Sequence, residues 1–327
     1  MSRIVLSRVP FRLSLGGGST DLPSYSNKYG GFIFAVTVNL YMDVFIKEPR
    51  SDNHFHVLYK DFESVPTIDE VKHDIVKEAL RIHNVRKPLT ISFKADTPAG
   101  TGLGSSGACA VAVHRGIATF LGKKMTNRQA AEHSFALTQR LGLPDGVQDP
   151  YVCAEGGFVT LNIAPSGKVV VSRPRVAQAT IDKFFKNSIF YYTGVVRSSE
   201  PILRQQEGAR IFDLKHKSKE MGFVILECFK KGNLNDFGKL LDEYWQLKKS
   251  MSAQISSALF DEIYEVARHA GALGGKIMGA GGGGYFMFYC PSQRVKKNVR
   301  EVLERFAMKE MIFALDSKGA RTKVVNF

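Results

Sequence analysis

Three glycine-rich segments, spread over the 327-residue chain, restrict its fold more than any other feature of the sequence. They are residues 8–21, residues 98–108 and residues 279–284. Glycine loses much backbone entropy on folding, and proteins use it where the chain adopts positive φ or where another group approaches the backbone closely. Three such segments indicate that close backbone approach is needed repeatedly, most simply around one ligand.

The central segment, residues 98–108, reads Pro-Ala-Gly-Thr-Gly-Leu-Gly-Ser-Ser-Gly-Ala, and the small and apolar residues that follow predict a buried helix over 105–121. A helix N-terminus offers free N–H groups and the positive end of the helix dipole, and the hydroxyls of Ser105 and Ser106 suit a phosphate oxygen or a magnesium ion. The segment therefore predicts a phosphate-binding loop. It has neither the lysine of the common P-loop nor the dinucleotide-binding spacing, and a serine-capped glycine turn is the simpler alternative.

The remaining sequence mixes strand and helix patterns without regular alternation, which predicts an α+β fold. β-Branched and aromatic residues predict a long strand over 32–46. Helical spacing is found over residues 127–141, 210–231, 235–251, 257–270 and 293–306. At roughly 100–200 residues per domain, the length of the chain suggests two lobes, and we place their boundary after residue 172.

Composition and charge limit the classes of partner and the cellular compartment that we expect for this protein. Lys and Arg number 45 against 31 Asp and Glu, which gives a formal net charge of +14 and favours anionic ligands without identifying them. No zinc-finger or RNP motif accompanies this charge, so we expect no nucleic-acid partner, and the eight histidines show no metal-ligand spacing. No apolar run reaches the ~18 residues of a membrane-spanning helix, arginines interrupt the N-terminal apolar stretch, and the four cysteines lie far apart. These features predict a cytoplasmic protein without a membrane partner.

The three glycine segments, in this order, resemble the three motifs of the GHMP kinase superfamily, which includes galactokinase, homoserine kinase, mevalonate kinase and phosphomevalonate kinase. Residues 98–108 match the family pattern Pro-x-x-x-Gly-Leu-Gly-Ser-Ser-x-Ala at every defined position. The segments that look most like the D-glycero-D-manno-heptose 7-phosphate kinases are residues 12–21, 148–151, 156–158, 191–194 and 245–249. The resemblance implies a two-lobed fold, with a ribosomal protein S5 domain 2-like ATP-binding lobe over 1–172 and a ferredoxin-like C-terminal lobe over 173–327.

The resemblance also implies the reaction and the residues that serve it. Family members transfer the γ-phosphoryl group of ATP, with Mg²⁺, to a small molecule, and the heptose-phosphate kinases phosphorylate the anomeric hydroxyl of a sugar or sugar phosphate. Asp149 matches the aspartate that accepts the hydroxyl proton, and Arg12 matches the basic residue that faces it. The positions that match the ATP-binding loop are Pro98, Gly100, Thr101, Gly102, Leu103, Gly104, Ser105 and Ser106, the last also a magnesium contact. Those expected at the substrate are Gly17, Gly18, Asp21, Tyr192, Gly281 and Gly282.

One departure from the family pattern concerns the metal. The family usually carries a magnesium-binding glutamate on the helix before the catalytic aspartate. The matching stretch here, residues 137–140, has no carboxylate, and Glu132 lies nearly two turns earlier. We therefore expect Mg²⁺ to be held by Ser106, Asp149, phosphates and water.

Other interpretations stay open at this point. A sugar kinase that acts as a monomer or homodimer is the main hypothesis, and the alternatives are a mevalonate- or phosphomevalonate-type kinase and a catalytically silent sensor of sugar and ATP. Asp149 as a turn residue, Arg12 as a structural ion-pair partner and Asp21 as a helix cap are the simpler interpretations of those positions.

The segment 245–249 also has a simpler interpretation than ligand binding. Lys248 and Lys249 are expected to form a solvated helix end, with a role in holding a substrate phosphate as the alternative. Tyr192 and Trp245 are expected to be packing residues rather than platforms for a sugar.

Overall fold

The computed structural model describes residues 3–206 and 208–327, in which two β-sheets are surrounded by helices. In chain order the strands are β1 Arg3–Gly16, β2 Gly31–Lys47, β3 Phe55–Leu58, β4 Phe62–Val65, β5 Thr90–Ala95, β6 Phe158–Ile163, β7 Val169–Ser172, β8 Ser188–Tyr192, β9 Gly274–Ile277, β10 Tyr285–Tyr289, β11 Lys309–Met311 and β12 Arg321–Asn326. The helices are α1 Pro23–Tyr29, α2 Asp74–Ile82, α3 Ser105–Phe120, α4 Asn127–Arg140, α5 Gln148–Glu155, α6 Gln178–Asn187, α7 Glu200–Arg204, α8 Ala209–Lys231, α9 Leu234–Lys249, α10 Ala258–His269 and α11 Gln293–Leu303.

The first sheet is built around the long antiparallel pair of β1 and β2. β12 pairs with β1. On its other edge, the first half of β2 pairs with β6 and the second half pairs with β5. β3 runs parallel to β5 and carries β4, while β7 extends β6. The register of β1 against β2 shifts between Pro10 and Arg12 and again between Ser14 and Gly16. Such irregularities re-aim the side chains of a strand, and here they frame Arg12.

The buried helix predicted after the phosphate loop is α3. It packs on β1 and β2, and α2, α4 and α5 surround it. Most of its residues are buried, which explains why half of them are alanine, valine or glycine. A Cβ on Gly116 would lie 2.7 Å from Cδ1 of Ile46, so a small residue is required where the helix crosses the sheet. The helix is therefore a rigid support for the loop at its N-terminus.

The second sheet has the order β11-β8-β10-β9, and its neighbouring strands are antiparallel. α9 packs on β9, and Trp245 of α9 shares a core with Tyr264, Phe286 and Phe288. α8 packs on α9 and also on β1 and β2, so it joins the two sheets. The joint is tight, because a Cβ on Gly16 would lie 2.9 Å from Cα of Gly222 in α8.

These observations confirm the α+β fold predicted from the mixed patterns. The strand predicted over 32–46 is β2, and the predicted helices correspond to α4, α8, α9, α10 and α11. The boundary after Ser172 stays a prediction. It coincides with the end of β7, but the C-terminal strand β12 returns to the first sheet. In the described part of the chain, none of the helices combines the length and apolarity needed to span a membrane.

Candidate active site

A cavity of about 1170 Å³ opens where the three glycine segments meet. Its walls include Arg12 and Gly18 from the first segment, Gly104 from the second and Gly279 from the third, and the start of α5 adds Asp149. Sites for a single small ligand have volumes of roughly 300–1,000 Å³. The cavity therefore has room for two substrates side by side.

Backbone conformation explains the alternating glycines of the second segment. Gly100, Gly102 and Gly104 have φ values of 79°, 78° and 80°, a region that residues with a side chain rarely adopt. A Cβ on Gly102 would lie 2.3 Å from the carbonyl oxygen of Met278, so the loop also touches the chain next to the third segment. Gly104 immediately precedes α3, and the first N–H groups of this helix therefore lie at the cavity.

Arg12 and Asp149 form an ion pair inside the cavity. Nε and Nη2 of Arg12 both donate to Oδ1 of Asp149, at 2.8 and 2.5 Å, and Nε2 of Gln148 donates to the same oxygen at 3.2 Å. Nη1 of Arg12 donates to the carbonyl oxygen of Gly102 at 2.6 Å, which ties the pair to the phosphate loop. Within residues 3–206 and 208–327, no donor reaches Oδ2 of Asp149. One carboxylate oxygen is thus fixed by the protein and the other is left for a ligand.

The N-terminal ends of α3 and α5 touch beside this ion pair. A Cβ on Gly107 in α3 would lie 2.6 Å from Cβ of Asp149 and 2.7 Å from the nitrogen of Pro150. The two helix ends can approach so closely only because residue 107 has no side chain. Helix N-termini carry a partial positive charge, so this junction favours an anion in the adjoining cavity.

Two further carboxylates line the cavity near Asp149. Asp21 is buried, its Oδ2 accepts the backbone N–H of Gln148 at 2.9 Å, and burial raises its pKa. Asp145 precedes α5, and burial, followed by the charges of Asp149 and Asp21, raises its pKa to about 6. The sequence interpretation did not include Asp145, although it lies only one helical turn before Asp149.

Two cations from the second half of the chain line the cavity. Lys248, in the last turn of α9, is 3% exposed and donates from Nζ to the carbonyl oxygen of Gly279 at 2.7 Å. Arg197, in the segment after β8, donates from Nε to the carbonyl oxygen of Gly281. Burial, and then the charges of Arg12 and Arg197, lower the pKa of Lys248 to about 8. Burial, and then the charge of Arg12, lower the pKa of Arg197 to about 10. Burial is the main cause of both shifts, and the neighbouring cations add to it.

Most of the predicted site residues line the cavity. Those that do are Arg12, Gly18, Asp21, Pro98, Gly100, Gly102, Gly104, Ser105, Ser106 and Asp149. The predicted residues that do not are Gly17, Thr101, Leu103, Tyr192, Gly281 and Gly282. The structure thus brings the expected catalytic pair and the phosphate loop together, and it places part of the expected substrate set outside the cavity lining.

The predicted residues outside the lining have structural surroundings. A Cβ on Gly17 would lie 1.9 Å from the carbonyl oxygen of Phe32, and Gly281 and Gly282 are packed against the backbone of Gln254 and Ile255 in the same way. Thr101 and Leu103 belong to the phosphate-binding loop itself, and both are fully buried. The ring of Tyr192, on β8, lies 5.3 Å from that of Tyr285, in agreement with its expected packing role.

The expectation of a solvated helix end is wrong for Lys248. Leu241, Trp245 and Lys248 are spaced four and three residues apart, so they share the buried face of α9. Lys249 lies off that face, where Nζ contacts Oδ1 of Asp261 at 3.0 Å, and it does not line the cavity. The packing role expected for Trp245 is confirmed, since it is fully buried. The spacing was the signal that distinguishes the two lysines.

The donors suited to Mg²⁺ at this site are few. Ser106 and Asp149 line the cavity, whereas Glu132 forms an exposed ion pair with Arg128 at 2.6 Å. Thr138 of α4 lines the cavity on the stretch where the family places a glutamate. The described residues contain no cluster of three or more metal-ligating side chains. A serine hydroxyl and one carboxylate fit a Mg²⁺ ion that keeps phosphate and water ligands, as Mg²⁺ in nucleotide sites usually does.

Similarity to known proteins shows the family to which the chain belongs. The sequence profile described as "GHMP kinases N terminal domain" matches residues 71–157, and the profile "GHMP kinases C terminal" matches residues 225–309. D-glycero-alpha-D-manno-heptose 7-phosphate kinase of Campylobacter jejuni is 25% identical over 343 residues, which cover 98% of this chain and 99% of that protein. Mevalonate kinase of Thermococcus sibiricus is 33% identical over 225 residues, which cover 64% and 62% of the two chains.

Solved structures agree on the fold. A D-glycero-D-manno-heptose 1-phosphate kinase from Bacteroides thetaiotaomicron superimposes with a TM-score of 0.82 at 25% identity, and the match covers 99% of this chain and 100% of that one. Galactokinase of Lactococcus lactis, solved with galactose, superimposes with a TM-score of 0.75 at 14% identity over 97% and 95% of the chains. The second likeness concerns the fold alone.

Proposed function

The chain belongs to the GHMP kinase family as a sugar kinase, and from that premise we propose that it transfers the γ-phosphoryl group of ATP to the anomeric hydroxyl of a heptose 7-phosphate or a closely related sugar. The observation that carries the proposal is the Arg12–Asp149 pair, held in one cavity with the N-terminus of α3. This arrangement joins a base to a phosphate-binding helix end, as phosphoryl transfer requires.

The cavity has two walls with different tasks. The donor wall consists of residues 98–108, which include the start of α3. The acceptor wall consists of charged side chains from separate parts of the chain, namely Arg12, Asp21, Asp149, Arg197 and Lys248. The backbone N–H groups of α3 and the hydroxyls of Ser105 and Ser106 bind the triphosphate at the donor wall. Mg²⁺, bound with the nucleotide, would be held by Ser106, phosphate oxygens and water, and would supply charge neutralisation on the phosphoryl oxygens.

Asp149 acts as the general base in this proposal. Arg12 and Gln148 hold Oδ1, so Oδ2 accepts the proton of the sugar hydroxyl while that oxygen forms its bond to the γ-phosphorus. The bond between the γ-phosphorus and the bridging oxygen breaks, and its electron pair leaves with ADP. Arg12 offsets the charge that develops on the moving phosphoryl group. Asp21 accepts hydrogen bonds from other hydroxyls of the sugar.

A coupled assay of ADP release, run with ATP and a panel of acceptors, tests the proposal. The panel consists of D-glycero-D-manno-heptose 7-phosphate, the same heptose without phosphate, and mevalonate. We expect turnover with the heptose 7-phosphate and none with mevalonate. Turnover of mevalonate alone would assign the chain to the mevalonate kinases, and tight sugar binding without ADP release would make it a silent sensor.

The compartment and assembly belong to the same proposal. The four cysteines are buried free thiols. Free thiols are typical of a reducing compartment, so we propose a cytoplasmic enzyme that acts as a monomer or homodimer.

A further inference from the structure

We propose that Lys248 and Arg197 form a binding site for a phosphoryl group that the acceptor sugar already carries, separate from the triphosphate site on the donor wall. The proposal rests on the sugar kinase function above and deepens it, because it assigns the residues by which a phosphorylated acceptor is selected. The sequence offered a phosphate-holding role for Lys248 only as the alternative to a solvated helix end, and it assigned no role to Arg197.

The ammonium group of Lys248 has unused hydrogen-bonding capacity. It is almost fully buried and lines the cavity, and its one hydrogen bond within the described residues, to the carbonyl oxygen of Gly279, uses one of three N–H donors. No carboxylate of the described residues forms an ion pair with it. A buried charge without a counter-ion is unfavourable, and an anionic ligand removes that penalty.

Arg197, whose backbone N–H donates to the carbonyl oxygen of Gly100 at 3.3 Å, shows the same deficit. Its Nε is satisfied by Gly281, but Nη2 is buried and has no hydrogen-bond partner among the described residues. A guanidinium presents its donors in a fixed fork that matches phosphate oxygens. Two neighbouring cations thus hold spare donors at one cavity, although their mutual repulsion disfavours that arrangement in the absence of an anion.

The position of Lys248 assigns the site to the acceptor rather than to ATP. A Cβ on Gly18 would lie 4.0 Å from Nζ of Lys248, and the backbone N–H of Gly18 donates to the hydroxyl of Tyr244 at 2.7 Å, one turn earlier on α9. Gly18 belongs to the segment that also carries Asp21. The triphosphate has its own donors at the start of α3, and Arg12 is already occupied by Asp149 and Gly102.

A purely structural lysine looks different, as Lys276 of β9 shows. Lys276 is fully buried, donates to the carbonyl oxygen of Ser14 at 2.8 Å, and has Nζ 4.7 Å from the ring centroid of Tyr244. It does not line the cavity. Lys248 shares the tethering bond but adds exposure to the ligand space, which a tether does not require.

The test compares Lys248→Gln with Lys249→Gln. Glutamine at 248 removes the charge but keeps a donor for Gly279, and Lys249 is the matched control because it lies on the same helix and contacts Asp261 outside the cavity. Each protein is assayed with D-glycero-D-manno-heptose 7-phosphate and with the unphosphorylated heptose, and thermal unfolding confirms that each variant is folded. Lys248→Met, which lacks the donor as well, separates loss of charge from loss of the tether.

Lys248→Gln is expected to lower kcat/KM for the heptose 7-phosphate about 10- to 100-fold, mainly through KM, since hydrogen bonds to charged groups contribute ~1.5–3 kcal/mol. The kcat/KM for the free heptose and the KM for ATP should change little in Lys248→Gln. Lys249→Gln should have the kinetic constants of the wild type with both sugars. An equal loss with both sugars would overturn the proposal, because the pair would then serve the transferred group. Unchanged kinetics with both sugars would overturn it as well.

Calorimetric titration without ATP keeps the two proposals distinguishable. If wild-type protein releases no ADP with either sugar, the proposed function fails, yet the phosphate site is still tested by binding. The wild type must then bind the heptose 7-phosphate more tightly than the free heptose, and Lys248→Gln must abolish that preference. Failure of the 7-phosphate to bind, or binding without a preference for it, would contradict the site.

Discussion

The donor wall and the acceptor wall are made of different parts of the protein, and each responds to different changes. The donor wall is formed by backbone groups, namely glycines with positive φ and the N–H groups at the start of α3. The acceptor wall is formed by charged side chains from β1, α5, α9 and two loops. Backbone donors bind any triphosphate of the right shape, whereas placed charges select one acceptor. Loss of charge should therefore damage catalysis, and loss of backbone freedom should damage nucleotide binding.

The largest expected effect comes from Arg12 in the acceptor wall. Arg12→Gln removes both donors to Oδ1 of Asp149 and the bond to Gly102. We expect kcat to fall about 10²- to 10³-fold, the range found when one transition-state donor is removed, with nearly unchanged affinity for ATP. Steady-state kinetics of ADP release measure both.

The control for this change lies on the same strand. Arg8 of β1 forms an ion pair with Asp43 at 2.6 Å, and it does not line the cavity. Arg8→Gln should leave kcat within about threefold of wild type, since pairs of this partly exposed kind contribute little. If Arg12→Gln behaved like Arg8→Gln, the pair with Asp149 would be structural only.

A second prediction concerns the support beneath the donor wall. His114 of α3 is buried against His83 at the end of α2, with 3.0 Å between Nδ1 and Nε2, and His133 of α4 lies beside both. Burial, and then the neighbouring histidines, lower the pKa of His114 to about 3. Burial, and then the charges of His133 and Lys123, lower the pKa of His83 to about 4.

Both folded-state pKa values lie below the value of about 6.5 for histidine in an unfolded chain, so the stabilisation is complete above pH 6.5 and declines as the pH falls. Between pH 7.5 and 5.5, His83 and His114 together should lower the free energy of unfolding by about 2–3 kcal/mol. Urea unfolding at the two pH values measures this. Asp145 opposes the trend, because its raised pKa adds stability as the pH falls through about 6.

Variants isolate the histidine contribution from that of Asp145. His114→Gln should remove about half of the acid-induced loss, since one of two shifted groups is gone. His269→Gln, at an exposed position on α10, should leave the loss unchanged. An equal loss of stability in all three proteins would show that the buried histidines do not carry the effect.

The donor wall itself should respond to Gly102→Ala. The residue has a φ of 78°, and the added Cβ would lie 2.3 Å from the carbonyl oxygen of Met278, so the loop must move. Backbone strain of ~1–3 kcal/mol predicts an affinity for ATP about 5- to 150-fold weaker, measured by calorimetry. Gly167→Ala is the matched control, because Gly167 has a φ of 81° with open space around it. It should cost about 1 kcal/mol of stability without changing ATP binding.

The smallest expected effect is that of Glu132→Gln. Glu132 pairs with Arg128 on the surface of α4 and does not line the cavity. The Mg²⁺ concentration that supports half-maximal activity should change less than about twofold, since an exposed pair of this kind contributes little. A large increase would mean that Glu132 reaches the metal and that Ser106 is not its only side-chain ligand.

The two walls also differ in how far the sequence predicts them. The donor wall is contiguous, and its alternating glycines with Ser105 and Ser106 carry the conformation and the chemistry in one stretch. Two of its predicted positions, Thr101 and Leu103, nevertheless lie outside the cavity lining, because neighbours in such a loop alternate between ligand and core.

The acceptor wall depends on contacts between distant segments, which a single sequence does not display. Arg197 follows β8 in a segment without a helical or strand period, so no sequence pattern predicted that it lines the cavity. Lys248 did carry a signal, because it shares the helical face of Leu241 and Trp245, but the adjacent Lys249 suggested a solvated end. Asp149 was predicted only through the family resemblance, while its partner Gln148 and neighbour Asp145 were not.

Asp149→Asn, assayed for ADP release at saturating ATP and sugar, tests the central claim most directly. Asparagine keeps the shape of the side chain but cannot take the proton, so kcat should fall at least about 100-fold, with ATP affinity close to that of wild type. Turnover at the wild-type rate would contradict the account, because the sugar hydroxyl would then lose its proton to another group.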